Sequence, residues 1–245
     1  MMRNTWYVAQ RELTAIFVQP IAYIFAIVLI GITGLIFAGQ IATIAFTPGA
    51  PVSLTNVLGL FTFLFIFAGP AITMRLLSEE QRSGTMELLM TLPLRDGEVV
   101  LGKFLAAFIF YLVAVALTLI FPVILLNFGN PDPGPILTGY LGTLLWGAAI
   151  LAMGLLASAM TDNQMVAFIL ALGFNLLLYL AFIPAEFFGD NPTIALIFRE
   201  LGAQQHLGSF FRGILVAKDI VYFVMITAVF LFAATRVMES KRWRG

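Results

Sequence analysis

Gly97 to Lys103 reads G-x-x-x-x-G-K, the spacing with which backbone amides and a lysine cradle nucleotide phosphates. The chemistry fails at the next position. Phe104 stands where Mg²⁺ coordination needs Ser or Thr, no strand precedes the glycines, and an apolar run follows them. Nucleotide binding is therefore assigned to another polypeptide. His206 is the one histidine, in an amphipathic stretch where such a residue is more often an interface group than a ligand. The chain has no cysteine, which excludes disulfides, thiolate metal sites and cysteine nucleophiles. We read no catalytic residue and no metal site. Net charge is zero, so no overall field favours nucleic acid as a partner.

The densest polar chemistry lies between Arg75 and Lys103. This stretch holds 9 of the 26 Asp, Glu, Lys and Arg residues. Apolar runs long enough to cross a bilayer flank it, so the insert must project into water, within reach of a soluble partner. Leu76 to Gln81 continues the preceding helix, Gly84 breaks it, and Thr85 to Leu92 forms a short helix with Met86, Leu88, Leu89 and Leu92 apolar. Glu87 lies in the first turn of that helix, where negative charge suits the dipole. Pro93 stops it, and Asp96 N-caps the next span with Glu98 in its first turn. Apolar side chains on a short exposed helix need a neighbouring helix or another protein to bury against. A plain solvated loop is the competing reading.

The elements that position this insert are membrane spans. With 61% hydrophobic and only 11% charged residues, the chain reads as a single all-α membrane domain over 1–245. Six candidate spans lie at 21–39, 55–76, 99–126, 136–159, 164–184 and 219–238. The start is not a secretory signal, since it carries Glu12 and leads into too long an apolar run. Residues 4–18 form an N-terminal interfacial helix ended by Pro20, with Trp6 and Tyr7 at headgroup depth. Gly139, Gly142, Gly147 and Gly154 point to close helix packing, Pro70 and Pro122 to kinks, and Asn175 to a hydrogen bond across helices.

Of the connections, Gln40 to Asn56 is an uncharged loop and Asn127 to Pro135 a turn-rich break. Ala185 to Ala217 forms short amphipathic helices resting in the outer interface, with the Arg199–Glu200 and Lys218–Asp219 pairs outside and solvated, or alternatively lining an exit. Six spans put both termini on one side. Placing them inside leaves ten Lys and Arg residues in inner segments against three in outer ones, so the insert is cytoplasmic. The ending RVMESKRWRG is a basic anchor near anionic lipid headgroups. The span interiors lack Asp, Glu, Lys and Arg, which argues against ion-driven transport and against catalysis within the membrane.

Residues 79–103 resemble the cytoplasmic loop of ABC type-2 exporter permeases. That loop has acidic residues, a Gly-Thr, a Glu-Leu-Leu, a Pro, and a Gly-Lys opening the next span. Here the matching positions are Glu79, Glu80, Arg82, Gly84, Thr85, Glu87, Leu88, Leu89, Pro93, Gly102 and Lys103. The start, the six-span pattern, GSFFRGILVAKDIVYF at 208–223 and ESKRW at 239–243 are similar to gliding-motility-type permeases. The resemblance implies a multi-pass subunit of a prokaryotic inner membrane, paired with a second permease that is the same chain or a related one. Two copies of a separate ABC ATPase would bind ATP and Mg²⁺, with no cofactor on this chain. The helix near 84–92, Met86 included, would be the coupling helix seated in the ATPase. The implied function is export or extraction of a substrate. The alternative is a membrane anchor relaying ATPase work to a periplasmic or surface apparatus such as gliding motility.

Overall fold

The computed structural model describes residues 2–47, 53–85, 95–188 and 191–242. Every regular element among them is a helix. Met86, Glu87, Leu88, Leu89 and Pro93, and with them the expected coupling helix, lie outside the described residues.

Five helical stretches are long and apolar enough to cross a membrane: Tyr23–Phe46, Thr55–Arg82, Asp96–Leu125, Pro133–Met160 and Ala217–Lys241. The chain is thus a multi-pass membrane protein. The remaining candidate span is the shorter apolar helix Gln164–Leu180, whose 17 residues reach only about 25 Å at 1.5 Å per residue. The first long helix also outruns its expected boundary. It continues through Gly39 to Phe46, because Gln40 to Phe46 contains no Gly or Pro and the apolar pattern persists.

In chain order the helices are α1 (Met2–Val18), α2 (Pro20–Phe46), α3 (Thr55–Thr73), α4 (Ser78–Arg82), α5 (Asp96–Leu117), α6 (Ile120–Leu125), α7 (Pro133–Met160), α8 (Gln164–Leu180), α9 (Pro184–Phe187), α10 (Pro192–Leu201), α11 (Ala203–Phe211) and α12 (Ala217–Arg242). α1 ends at Val18 because Gln19, preceding Pro20, is forced to extended backbone. Pro20 then opens α2, where its missing N–H is harmless. Arg95, and not Asp96, is the N-cap of α5, and the Glu98 carboxylate accepts from the Arg95 backbone N–H at 3.0 Å. Asp96 is the first helical residue instead.

α7 is the axis of the bundle. A Cβ at Gly147 would lie 2.1 Å from the Tyr111 ring, one at Gly154 2.0 Å from Thr73 Oγ1, and one at Gly142 2.8 Å from Phe210. Only glycine lets α5, α3 and α11 approach so closely, as the sequence expectation of tight packing requires. α2 and α12 flank the bundle and keep broad apolar faces exposed, among them Ile27, Leu35, Val224 and Phe232. Those faces suit hydrocarbon.

Both prolines that disturb spans leave a backbone carbonyl without its helical donor. Pro70 frees the carbonyl of Ile66, and Asn175 Nδ2 of α8 donates to it at 3.3 Å. Pro122 removes the i+4 donor to the Thr118 carbonyl, which accepts instead from the Phe121 N–H at 3.0 Å and from the Tyr140 hydroxyl of α7 at 2.9 Å. The third span breaks between α5 and α6 at Thr118 and Leu119. Neighbouring helices thus repair what each proline removes, which is how such kinks survive in lipid.

Candidate functional site

The insert leaves α3 through an irregular turn at 74–77 before α4 begins, so the helix does not run on unbroken. Ser158, at the end of α7, explains the break. Its Oγ accepts from the backbone N–H groups of Leu77 and Ser78, each at 3.0 Å, and donates to the Met74 carbonyl at 3.0 Å. One buried hydroxyl thereby holds three backbone groups of the turn. Gln81 Nε2 reaches the Ala159 carbonyl at 3.0 Å, and its carbonyl oxygen accepts from Lys241 Nζ of α12. Gly84 follows α4 with φ of +71°, a left-handed conformation that glycine adopts without strain.

The expected coupling residues do not face one way. Glu79 sits on the surface, its side chain 48% exposed and paired with Arg75 at 3.1 Å. Glu80 turns inward. Its Oε1 lies 3.0 Å from Lys103 Nζ and 2.8 Å from Arg11 Nη2. Lys103 also contacts Glu12 Oε1 at 3.1 Å, and Arg11 contacts the same oxygen at 2.6 Å. Two cations and two carboxylates from α1, α4 and α5 therefore form one charge-balanced cluster. Arg82 and Thr85 are exposed, and Thr85 Oγ1 lies 2.8 Å from Ser83 Oγ.

Lys103 is seven residues inside α5 and its side chain is 1% exposed, so the expectation of charge-free span interiors fails here. A buried ammonium is tolerable only when paired and hydrogen-bonded. α1 supplies that pairing because Gly102, the neighbour of Lys103, lets it approach. A Cβ on Gly102 would fall 2.7 Å from Val8 Cβ and 2.9 Å from the Thr5 carbonyl. The Gly-Lys pair thus acts as a docking point for the N-terminal helix. Burial pushes the Glu12 carboxyl up, but Lys103 and Arg11 beside it outweigh that and hold it below the usual carboxylate range. Burial opposes the Arg11 charge, and Glu12 with Glu80 more than offset it. A cavity of about 270 Å³ adjoins the cluster, lined in part by Gln19, Arg75, Glu79 and Lys103.

The sequence reading gave Arg11, Glu12, Gln81, Ser158 and Lys241 no part in this site. Only Lys103 carried a signal: a cation inside an apolar helix needs an anion, and Glu12 on the preceding amphipathic helix was an available one. The hydroxyl of Ser158 offers no such clue.

The opposite end of the bundle holds a second polar group. α11 does not rest on the surface as expected, since Ala203, Leu207 and Phe210 are buried and Phe210 packs on Gly142 of α7. His206 and Asp219 are buried as well, 2.6 Å apart, so Asp219 is not solvated. Lys218 pairs with Glu200. Thr55, Asn56, Tyr179 and Gln204 line a cavity of about 420 Å³ beside α11. Among the described residues no cluster of His, Asp or Glu could hold a metal ion.

No curated protein is similar enough to this chain to count as a match. A family model described as "ABC-2 family transporter protein" matches residues 68–212, from the end of α3 through the insert, the bundle axis and α11. With more than half its length matched, the chain belongs to the ABC-2 transporter family.

Proposed function

We propose that the chain is the permease subunit of an ATP-driven exporter, moved by a separate ATPase that grips the insert. The observation that carries this reading is the way the root of the insert is tied. Glu80 bonds to α1 and α5, Ser158 of α7 holds the turn before α4, and Lys241 of α12 bonds to Gln81. A push on the insert is thereby delivered to four other helices. Family membership implies association with an ABC ATPase. ATP and Mg²⁺ belong on that subunit, the insert faces the cytoplasm, α8 completes six spans, and two permease chains assemble with two ATPases. The apolar interior suits a lipid-like or amphiphilic substrate.

Within the insert, Glu79, Arg82, Gly84, Thr85, Met86, Glu87, Leu88, Leu89 and Pro93 form the surface offered to the ATPase, and Glu80 holds that surface to the bundle. The test is reconstitution of the chain with its ATPase in vesicles. Glu79→Lys should lower ATP-dependent flux while the unfolding temperature stays at that of wild type, because this side chain stands outside the buried cluster. Undiminished flux in that variant would overturn the assignment. ATP turnover without flux of any amphiphile would instead favour the anchor reading.

A further inference from the structure

The buried pair at the far end of the bundle has a proton count that its geometry dictates. His206 Nε2 lies 2.9 Å from the backbone carbonyl of Glu200. A carbonyl can only accept, so Nε2 carries hydrogen. Nδ1 lies 2.6 Å from Asp219 Oδ1, and a contact that short between nitrogen and carboxylate oxygen requires a proton between them. The pair is therefore either imidazolium with carboxylate or imidazole with carboxylic acid. Both hold one proton more than a free neutral imidazole beside a free carboxylate. Asp219 Oδ2 is buried with no partner among the described residues, which further disfavours an unshared negative charge. The imidazole is stacked on the Tyr222 ring at 3.9 Å, so it cannot turn to water without losing that contact.

The pair joins α11 to α12, and α11 is one wall of the 420 Å³ cavity through Gln204, Leu207, Gly208 and Phe211. The other walls come from α3 and α8, through Thr55, Asn56, Thr62 and Tyr179. We infer that His206 and Asp219 form a one-proton latch that holds α11 closed over this vestibule, and that the latch loosens as the medium on that side becomes alkaline. The inference rests on the permease reading for calling the vestibule an exit and that medium external.

The sign follows from the proton count. A free imidazole loses its proton around pH 6.5 and a free carboxylic acid around pH 3.9. Between these values closing needs no proton, since imidazolium and carboxylate already exist in the open state. Above about pH 6.5 closing takes up a proton, so the open fraction rises up to tenfold per pH unit. The other ionisable groups on the elements packed against His206 are few among the described residues. α10 contributes Arg199 and Glu200, α12 contributes Lys218 and Tyr222 at this end, α11 contributes Arg212, α8 contributes Tyr179, and α7 contributes Tyr140, whose hydroxyl donates to the Thr118 carbonyl. Lys218 is occupied by Glu200, the Tyr222 hydroxyl donates to the Leu201 carbonyl, and Arg212 Nε donates to the Gly208 carbonyl at 3.0 Å.

The chain has no native cysteine, so one introduced thiol reports alone. Leu207→Cys, at a side chain 2% exposed, places it in the closed wall, and Gln205→Cys places it on the exposed side of the same helix, away from the vestibule. Each is labelled in the full chain, in lipid nanodiscs, with a membrane-impermeant maleimide between pH 5.5 and 8.5. The ratio of the two rates cancels the thiol's own titration. The ratio should stay low to about pH 6.5 and then climb, approaching tenfold per unit. Asp219→Asn supplies an amide that can donate to a neutral Nδ1, so this variant should stay closed with a flat ratio. His206→Ala should be flat and open. A flat ratio in the native background, or an undiminished slope in Asp219→Asn, overturns the latch. Labelling needs no transported substrate, so a working latch without any flux would count against the permease reading alone.

Discussion

Replacing Lys103 with methionine tests whether the charged cluster anchors the insert. Methionine fills nearly the same volume, so the change is one of charge. Lys103 is 1% exposed, and its loss leaves Glu12 and Glu80, 14% and 15% exposed, with a single cation between them. Removing one partner from a buried pair costs about 3–5 kcal/mol. Arg11 remains within 2.8 Å of both carboxylates, but at 56% exposure its charge is screened by water. The expected loss is therefore near the lower figure, about 3 kcal/mol. Arg11→Met, at the screened end of the cluster, should cost about 1 kcal/mol or less. Lys103→Met with Glu80→Gln restores one cation to one carboxylate and should recover at least half of the loss.

The assay is unfolding in detergent micelles followed by tryptophan fluorescence, with Trp6 on α1 as one reporter. The pH arm has a defined sign. The Glu12 carboxyl is held below its usual range, so its contribution is complete above about pH 4.3 and drains away as pH falls through the lower folded value. In Lys103→Met the folded carboxyl lies closer to its unfolded value, so that acid loss should be smaller than in wild type. Stability of Lys103→Met within about 0.5 kcal/mol of wild type, or a double variant no better than the single one, would refute the cluster's role.

Two further outcomes concern the membrane interior. Gly154→Ala forces a methyl against Thr73 and should cost about 1–3 kcal/mol by thermal unfolding, whereas Gly173→Ala, with nothing within 4 Å, should be neutral or stabilising. Asn175→Leu removes the donor to the carbonyl that Pro70 frees, and should cost about 1 kcal/mol. Pro70→Ala returns a backbone donor to that carbonyl, so the cost of Asn175→Leu should shrink in that background. Equal costs in both backgrounds would separate Asn175 from the kink.

Much of the architecture is written in composition and spacing. Long apolar runs must be helices in lipid, because no other segment satisfies its own backbone there. Glycines at 139, 142, 147 and 154 announced a tightly packed axis, and Asn175 a bond across helices, and both appear in the structure. The charged insert was legible because nine ionisable residues cannot lie in hydrocarbon. Its boundary with the membrane was not, since Ser158, some eighty residues away, holds the turn that ends α3.

What the sequence alone determined is the kind of molecule and the place where polar work is concentrated: each follows from the cost of putting particular residues in lipid, a property of local runs. What only the tertiary structure decided is which charges meet. Lys103 finds Glu12 across 91 positions, and His206 finds Asp219 across a helix boundary. Such pairings depend on which helix faces come together, and hydropathy is blind to that.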